Sequence, residues 1–212
     1  MTVKIFENVF SKEELQQLCE FYAQLPVANT RYLDNSKLFR IIKNSEYNLE
    51  DQLPYKILHE KLTQTLGPHH FTGGHWMDSH APFRCHIDNI ANYTARGVPI
   101  HHSELHKNVG VLIPLCEGEH FQTIFFDHML DQLYPGYMND LANNSDTELD
   151  SVTMSLLDHH SADECEKIKK FKLANIVRWK LGNMFTWPRD QLHCSSNFEK
   201  YGLTKQAIVL WL

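Results

Sequence analysis

Apolar residues recur at helical spacing through the first third of the chain and at strand spacing through most of the rest. Val3 and Ile5 share a parity in TVKIFENVF, which predicts an opening strand. SKEE at 11–14 has the Ser-x-x-Glu form of a helix capping box, so a helix is predicted to run to about Leu25 and stop before Pro26. RYLDNSKLFRIIKN is strand-like in its second half. A second helix is predicted from Leu53 through Ile57, Leu58, Leu62 and Leu66, with Gly67 and Pro68 as its stop.

Short strand-like runs then follow around 75–87, at 108–115, 121–127, 176–181 and 183–187, and in the C-terminal KQAIVLWL. Their even recurrence with turn residues between them predicts a sandwich or jelly roll. The stretch 128–172 breaks this rhythm. It is acidic and rich in Asn and Ser, and SADE at 161–164 opens a further helix to about Lys170. It reads as an insertion between core strands, a candidate lid. With 212 residues and no repeat, low-complexity tract or linker, 1–212 is expected to form one domain.

Composition narrows the classes of partner. A formal net charge of -6 argues against a nucleic-acid backbone as the main partner. No stretch approaches the ~20 apolar residues needed to cross a bilayer, and MTVK is charged within its first four residues, so a cytoplasmic protein without a membrane span is expected. Cys19, Cys85, Cys116, Cys165 and Cys194 are odd in number and form no C-x-x-C pair; they read as reduced thiols.

The candidate chemistry starts at FRCHID, residues 83–88. In an extended strand His86 and Asp88 point to one face while Cys85 and Ile87 point to the other. In a chain with 14 His such a pair is weak evidence alone, so its company matters. A third ligand is available in His193, just after a turn in WKLGNMFTWPRDQLHCSSNF. Two histidines and one carboxylate on a face leave three positions of an octahedral ion open, the arrangement used by non-haem Fe(II) oxygenases. Twelve residues on, Lys205 shares strand parity with Ala207, Val209 and Trp211, so it can point into the barrel, where a buried ammonium needs an anion. A dicarboxylate bound to the iron at one end would supply it.

This order of residues resembles the Fe(II)/2-oxoglutarate-dependent dioxygenase superfamily, in particular its small prolyl-hydroxylase-like and phytanoyl-hydroxylase-like members. The resemblance covers residues 75–212 with 128–172 as an insertion. It implies a mainly β fold, a double-stranded β-helix (jelly-roll) core with an N-terminal helical layer. It further implies His86, Asp88 and His193 as iron ligands and Lys205, where many members have Arg, as partner of the 2-oxoglutarate carboxylate. The implied reaction is an oxidoreductase one: O2 and 2-oxoglutarate are consumed, succinate and CO2 are released, and a substrate C–H bond is hydroxylated. The substrate is expected to be a small or amino-acid-like molecule; oligomeric state is not legible. A cupin-type metalloenzyme that does not use 2-oxoglutarate, or a non-catalytic jelly-roll binding module, is the alternative.

Several other residues invite plainer readings. His102, Glu104 and His106 in HHSELH follow GVPI and read as a polar loop or substrate-facing rim. The four histidines of GPHHFTGGHWMDSH read as a loop leading into the ligand strand, and His159 and His160 as solvated. Trp179, Phe185 and Trp187 read as packing. By parity Cys85 and Cys194 face away from the triad and have no assigned chemistry, while Arg84, Arg96 and Arg189 are possible anion contacts.

Overall fold

The computed structural model describes residues 3–33, 37–43, 53–69, 73–88 and 108–212. Ten strands lie among them: β1 (Lys4–Phe6), β2 (Val27–Leu33), β3 (Lys37–Lys43), β4 (Gly73–Ser79), β5 (Val109–Pro114), β6 (Gln122–Met129), β7 (Leu173–Arg178), β8 (Met184–Pro188), β9 (Gln191–Ser195) and β10 (Lys205–Trp211). Seven form one antiparallel sheet in the order β1-β8-β5-β10-β4-β3-β2, and three form a second, β7-β6-β9.

Alternation along the strands sets the layering. In β10, Ile208 and Leu210 belong to one apolar cluster while Ala207, Val209 and Trp211 belong to another. The first cluster lies under two helices, α1 (Lys12–Gln24) and α2 (Leu53–Leu66), which bury Leu18, Tyr22, Ile57, Leu58 and Leu62 against Trp76, Val111 and Ile113. The second fills the space between the sheets, where Met77, Leu112, Phe185 and Trp187 meet Phe125 and Val177. The other parity of the small sheet, Ile124, Phe126 and Leu192, faces outward onto a third cluster. That cluster is completed by Ala142, Leu157, Ile168 and Phe171, from the stretch carrying α3 (Tyr137–Asn143), α4 (Ser151–Ser155) and α5 (Ala162–Ile168). The result is a mainly β jelly roll with an N-terminal helical layer.

Both capping boxes form. Ser11 Oγ accepts from Glu14 N at 3.2 Å while Ser11 N donates to Glu14 Oε2 at 2.8 Å, and Ser161 and Glu164 repeat the arrangement at the start of α5. Gly182, at φ +84°, turns the chain between β7 and β8 so that its carbonyl accepts from Val9 and Phe10. This closes the N-terminal segment onto the sheet.

Three expectations change. β2 is a strand that hydrophobic alternation does not announce: it is the edge of the large sheet, with Val27 and Tyr32 more than half exposed, and an edge needs no apolar stripe. β4 ends at Ser79 rather than running on to 87, because Pro82 has no N–H to give a ladder. The stretch 128–172 packs on the outer face of the small sheet and contributes nothing to the lining of the main cavity, so it does not sit as a lid over it.

The helical layer is anchored by a few fully buried side chains. Leu18→Ala, which empties space between α1 and the sheet, is expected to cost about 2–5 kcal/mol in denaturant unfolding, whereas Val152→Ala at a 72% exposed position stays within about 0.5 kcal/mol.

Candidate active site

After Pro82 the chain crosses to the small sheet. There His86 and His193 form an isolated antiparallel bridge and exchange both backbone hydrogen bonds, at 2.9 and 3.0 Å. Asp88 N donates to Arg189 O at 2.7 Å, which extends the pairing by two residues. The His-x-Asp pair is therefore held extended without belonging to a continuous strand, and its parity survives: Cys85 and Ile87 enter the outer cluster, while His86 and Asp88 face the space between the sheets.

His86, Asp88 and His193 each bring a donor atom into one group, with all three within 4.8 Å of one another. His193 Nε2 lies 3.3 Å from Asp88 Oδ2 and His86 Nε2 lies 3.9 Å from Asp88 Oδ1. Each imidazole is oriented in the same way. Nδ1 of His86 faces the carbonyl of Arg84 at 2.7 Å and Nδ1 of His193 that of Gln191 at 2.9 Å, so a proton on Nδ1 leaves the Nε2 lone pairs turned inward. Phe83 stacks on His86 and Phe125 on His193. Trp187 Nε1 donates to Asp88 Oδ2 at 3.1 Å, and Arg189 Nε donates to the Asp88 carbonyl at 3.0 Å.

Loss of bulk solvent at the bottom of the cavity and the neighbouring His193 push His86 down to about 4. Burial works against ionised Asp88, but His193, His86 and the Trp187 N–H outweigh it and hold the carboxyl at about 2. Near neutral pH His86 is thus neutral and Asp88 charged, the protonation state a cation requires of such ligands. Two imidazoles and a carboxylate on one wall of an open space fit a six-coordinate Fe(II)-type ion.

The cavity they border is about 380 Å³. At its inner end Lys205 is 1% exposed. Its Nζ donates to Gln122 O at 2.5 Å and lies 4.5 Å from the ring centre of Trp179, itself held by Nε1 donating to Thr123 Oγ1. No carboxylate among the described residues pairs with it, and burial pushes its pKa down to about 7. Arg31 and Arg40, register partners in β2 and β3, line the cavity with His75 of β4. The Arg40 guanidinium stacks 3.9 Å over Phe83.

No protein-family model and no curated protein matches this sequence. Solved structures do. HygX from Streptomyces hygroscopicus, with nickel and 2-oxoglutarate bound, superposes with a TM-score of 0.58 at 10% identity over 98% of this chain and 81% of its own. The non-haem 2-oxoglutarate-dependent epimerase SnoN from nogalamycin biosynthesis gives 0.58 at 9% identity, covering 98% and 76%. The carbocyclase SnoK of the same biosynthesis, also 2-oxoglutarate-dependent, gives 0.51 at 11%, covering 98% and 78%. The chain has the fold of the non-haem 2-oxoglutarate-dependent enzymes.

Within this fold, His86, Asp88, His193 and Lys205 all line one cavity. Trp179 and Trp187 both pack between the sheets and line it, whereas Phe185 only packs. Sequence reasoning missed Arg31, Arg40 and His75 as lining residues; strand parity with Met77 could have found His75 and parity with Ile42 could have found Arg40, but no signal marks Arg31 on the edge strand as inward-facing. Arg84 points elsewhere, paired with Glu164 at 3.4 Å. His160 is a correction: it is 7% exposed, not solvated. Arg96 and the HHSELH segment lie outside the described residues.

Trp187 reaches Asp88 because Gly110 lies beneath its indole, where a Cβ would come within 2.5 Å of the ring. Trp187→Phe keeps the ring and removes the donor. It is expected to weaken Fe(II) binding about 10–100-fold in anaerobic titration while thermal unfolding stays cooperative.

Proposed function

We propose that this protein is an Fe(II)/2-oxoglutarate-dependent oxygenase, a single-domain hydroxylase acting on a small molecule. The observation that carries the reading is the pairing of a two-histidine, one-carboxylate cluster with a buried ammonium in one cavity. A cupin-type reaction or a passive binding module has no use for a charge that costs so much to bury.

His86, Asp88 and His193 would hold the iron, each set by a backbone or indole hydrogen bond before the ion arrives. Bound there, iron with O2 supplies the oxidative chemistry that couples decarboxylation of 2-oxoglutarate to succinate with oxidation of a substrate C–H bond. Lys205 would bind the far carboxylate of 2-oxoglutarate, with Trp179 and Phe198 keeping water from the pair. Arg31 and Arg40 put two cations on the cavity wall and so favour a substrate with an anionic or zwitterionic group, such as an amino-acid-like compound. HygX has also been solved with hygromycin B, and SnoN with nogalamycin RO, both small molecules. Hydroxylation is the simplest outcome of C–H oxidation at such a site, although SnoN and SnoK are an epimerase and a carbocyclase. All five cysteines are free thiols, in keeping with a reducing cytoplasm, and among the described residues no helix is long and apolar enough to cross a membrane.

Fe(II) and 2-oxoglutarate added to the protein without oxygen should produce the weak visible metal-to-ligand absorption of the chelate. His86→Ala and Asp88→Ala should abolish it. Metal binding without that absorption would reject the co-substrate.

Lys205 gives a second test, because its charge opposes folding and favours the ligand. Its folded pKa of about 7 lies below that of a solvated lysine, so the unfolded chain holds more protons between about 7 and 10.5 and apo-protein stability rises with pH across that window. Lys205→Met should raise the apo melting temperature at pH 6–7 and at the same time lose 2-oxoglutarate binding in calorimetry. For the native protein, 2-oxoglutarate affinity should fall as pH rises above about 7.

A further inference from the structure

We propose that Cys85, His160 and Cys194 form a second metal site, for a thiophilic ion of the zinc class, behind the His86, Asp88 and His193 cluster. The register creates it. Because His86 and His193 exchange both backbone hydrogen bonds, the residues flanking them, Cys85 and Cys194, oppose each other as a non-hydrogen-bonded pair, the position where cross-strand side chains come closest. Parity puts this pair on the outer face. His160 meets them there from the turn before α5, and one donor atom from each of the three lies within 4.8 Å of the others.

The imidazole is the independent observation. His160 is 7% exposed, its Nδ1 faces the carbonyl of Leu157 at 3.0 Å, and its buried Nε2 makes no hydrogen bond of normal geometry among the described residues, being turned towards the Cys85 thiol. The two histidines of the first cluster show the same anchoring through Nδ1, which frees Nε2. A buried ring nitrogen that meets only a thiol, a weak donor, is poorly satisfied in an apolar cluster that includes Ile124, Phe126 and Leu192. An ion removes that deficit.

Donor type selects the ion. Two thiolates and one imidazole suit zinc or copper(I), not the oxygen-preferring cations. Two thiolates also balance a divalent charge, so the filled site is neutral and at home among apolar side chains. Ligand bonds of about 2.0–2.3 Å would draw the donors together by small side-chain rotations. Cys165, whose Sγ donates to the His160 carbonyl at 3.7 Å, stands beside the site as a further thiol.

The ion would join three separated segments: the stretch before β5, the 128–172 stretch and β9. Cys85 adjoins His86, and Cys194 adjoins His193. The second site would therefore brace the backbone on which the first depends, which gives the outer packing of 128–172 a purpose.

The test uses Co2+ as the probe. The full chain is stripped of metal by chelator under reducing, anaerobic conditions and titrated with Co2+. Two equivalents are expected, one of them producing an intense near-ultraviolet sulfur-to-cobalt charge-transfer band that Zn2+ displaces. Cys194→Ser and His160→Ala should lose that band and one equivalent, while His86→Ala should keep the band and lose the other equivalent. Saturation of the native protein at one equivalent without a sulfur band would overturn the proposal, as would thiol counting on freshly isolated native protein that finds Cys85 and Cys194 joined as a disulfide. The native spectrum decides even where a variant fails to fold.

Discussion

Two backbone hydrogen bonds between His86 and His193 fix the register on which both clusters of potential ligands depend. A slip of one residue in the 80–88 stretch against β9 would turn His86 and Asp88 outward and Cys85 and Ile87 inward, parting His86 and Asp88 from His193, which β6 holds in place. Neither segment secures the register alone: the 80–88 stretch is not a continuous strand, and β9 has only five residues. It is held instead by neighbours. Asp88 N binds Arg189 O, β9 pairs with β6, and the Tyr137 hydroxyl donates to the Cys85 carbonyl at 3.2 Å.

The same parity logic explains how one cavity gathers residues from distant parts of the chain. β10 is central in the large sheet and presents Lys205 and Ala207 inward in sequence; the small Ala207 leaves the cavity open beside the lysine. Opposite, β6 presents Thr123 and Phe125, which hold Trp179 and stack on His193. Trp187 does two jobs at once, contributing apolar bulk between the sheets and an N–H to Asp88. Apolar packing in this layer is thus also what orients the polar groups.

That dual use decides what could be read from sequence. Strand alternation in KQAIVLWL announces which face Lys205 shares, and His-x-Asp spacing announces a common face for its two residues; the fold brings those faces together. The capping boxes at Ser11 and Ser161 are equally local and equally legible. What escapes is whatever depends on a distant partner. Arg31 faces the cavity only because β2 pairs with β3 as the edge of the large sheet, while Arg40 of β3 follows the parity of Ile42, whose inward face is fixed by pairing with β4. His160 looks solvated in a polar context because it is covered by Cys85 and Cys194, neither of which a local window relates to it.

Two clusters of potential ligands one residue apart along the chain raise the question of how ions would be sorted between them. Alternation separates them by a backbone, so that no side chain serves both. Chemistry completes the separation: the inner group offers nitrogen and carboxylate oxygen facing an open cavity, while the outer offers two sulfurs and one nitrogen in a closed apolar layer. Fe(II) keeps open positions for small ligands and gains little from a sealed sulfur site, whereas a zinc-class ion gains most where thiolates neutralise its charge away from water. Placing the soft site under the hard one lets a single strand register position both.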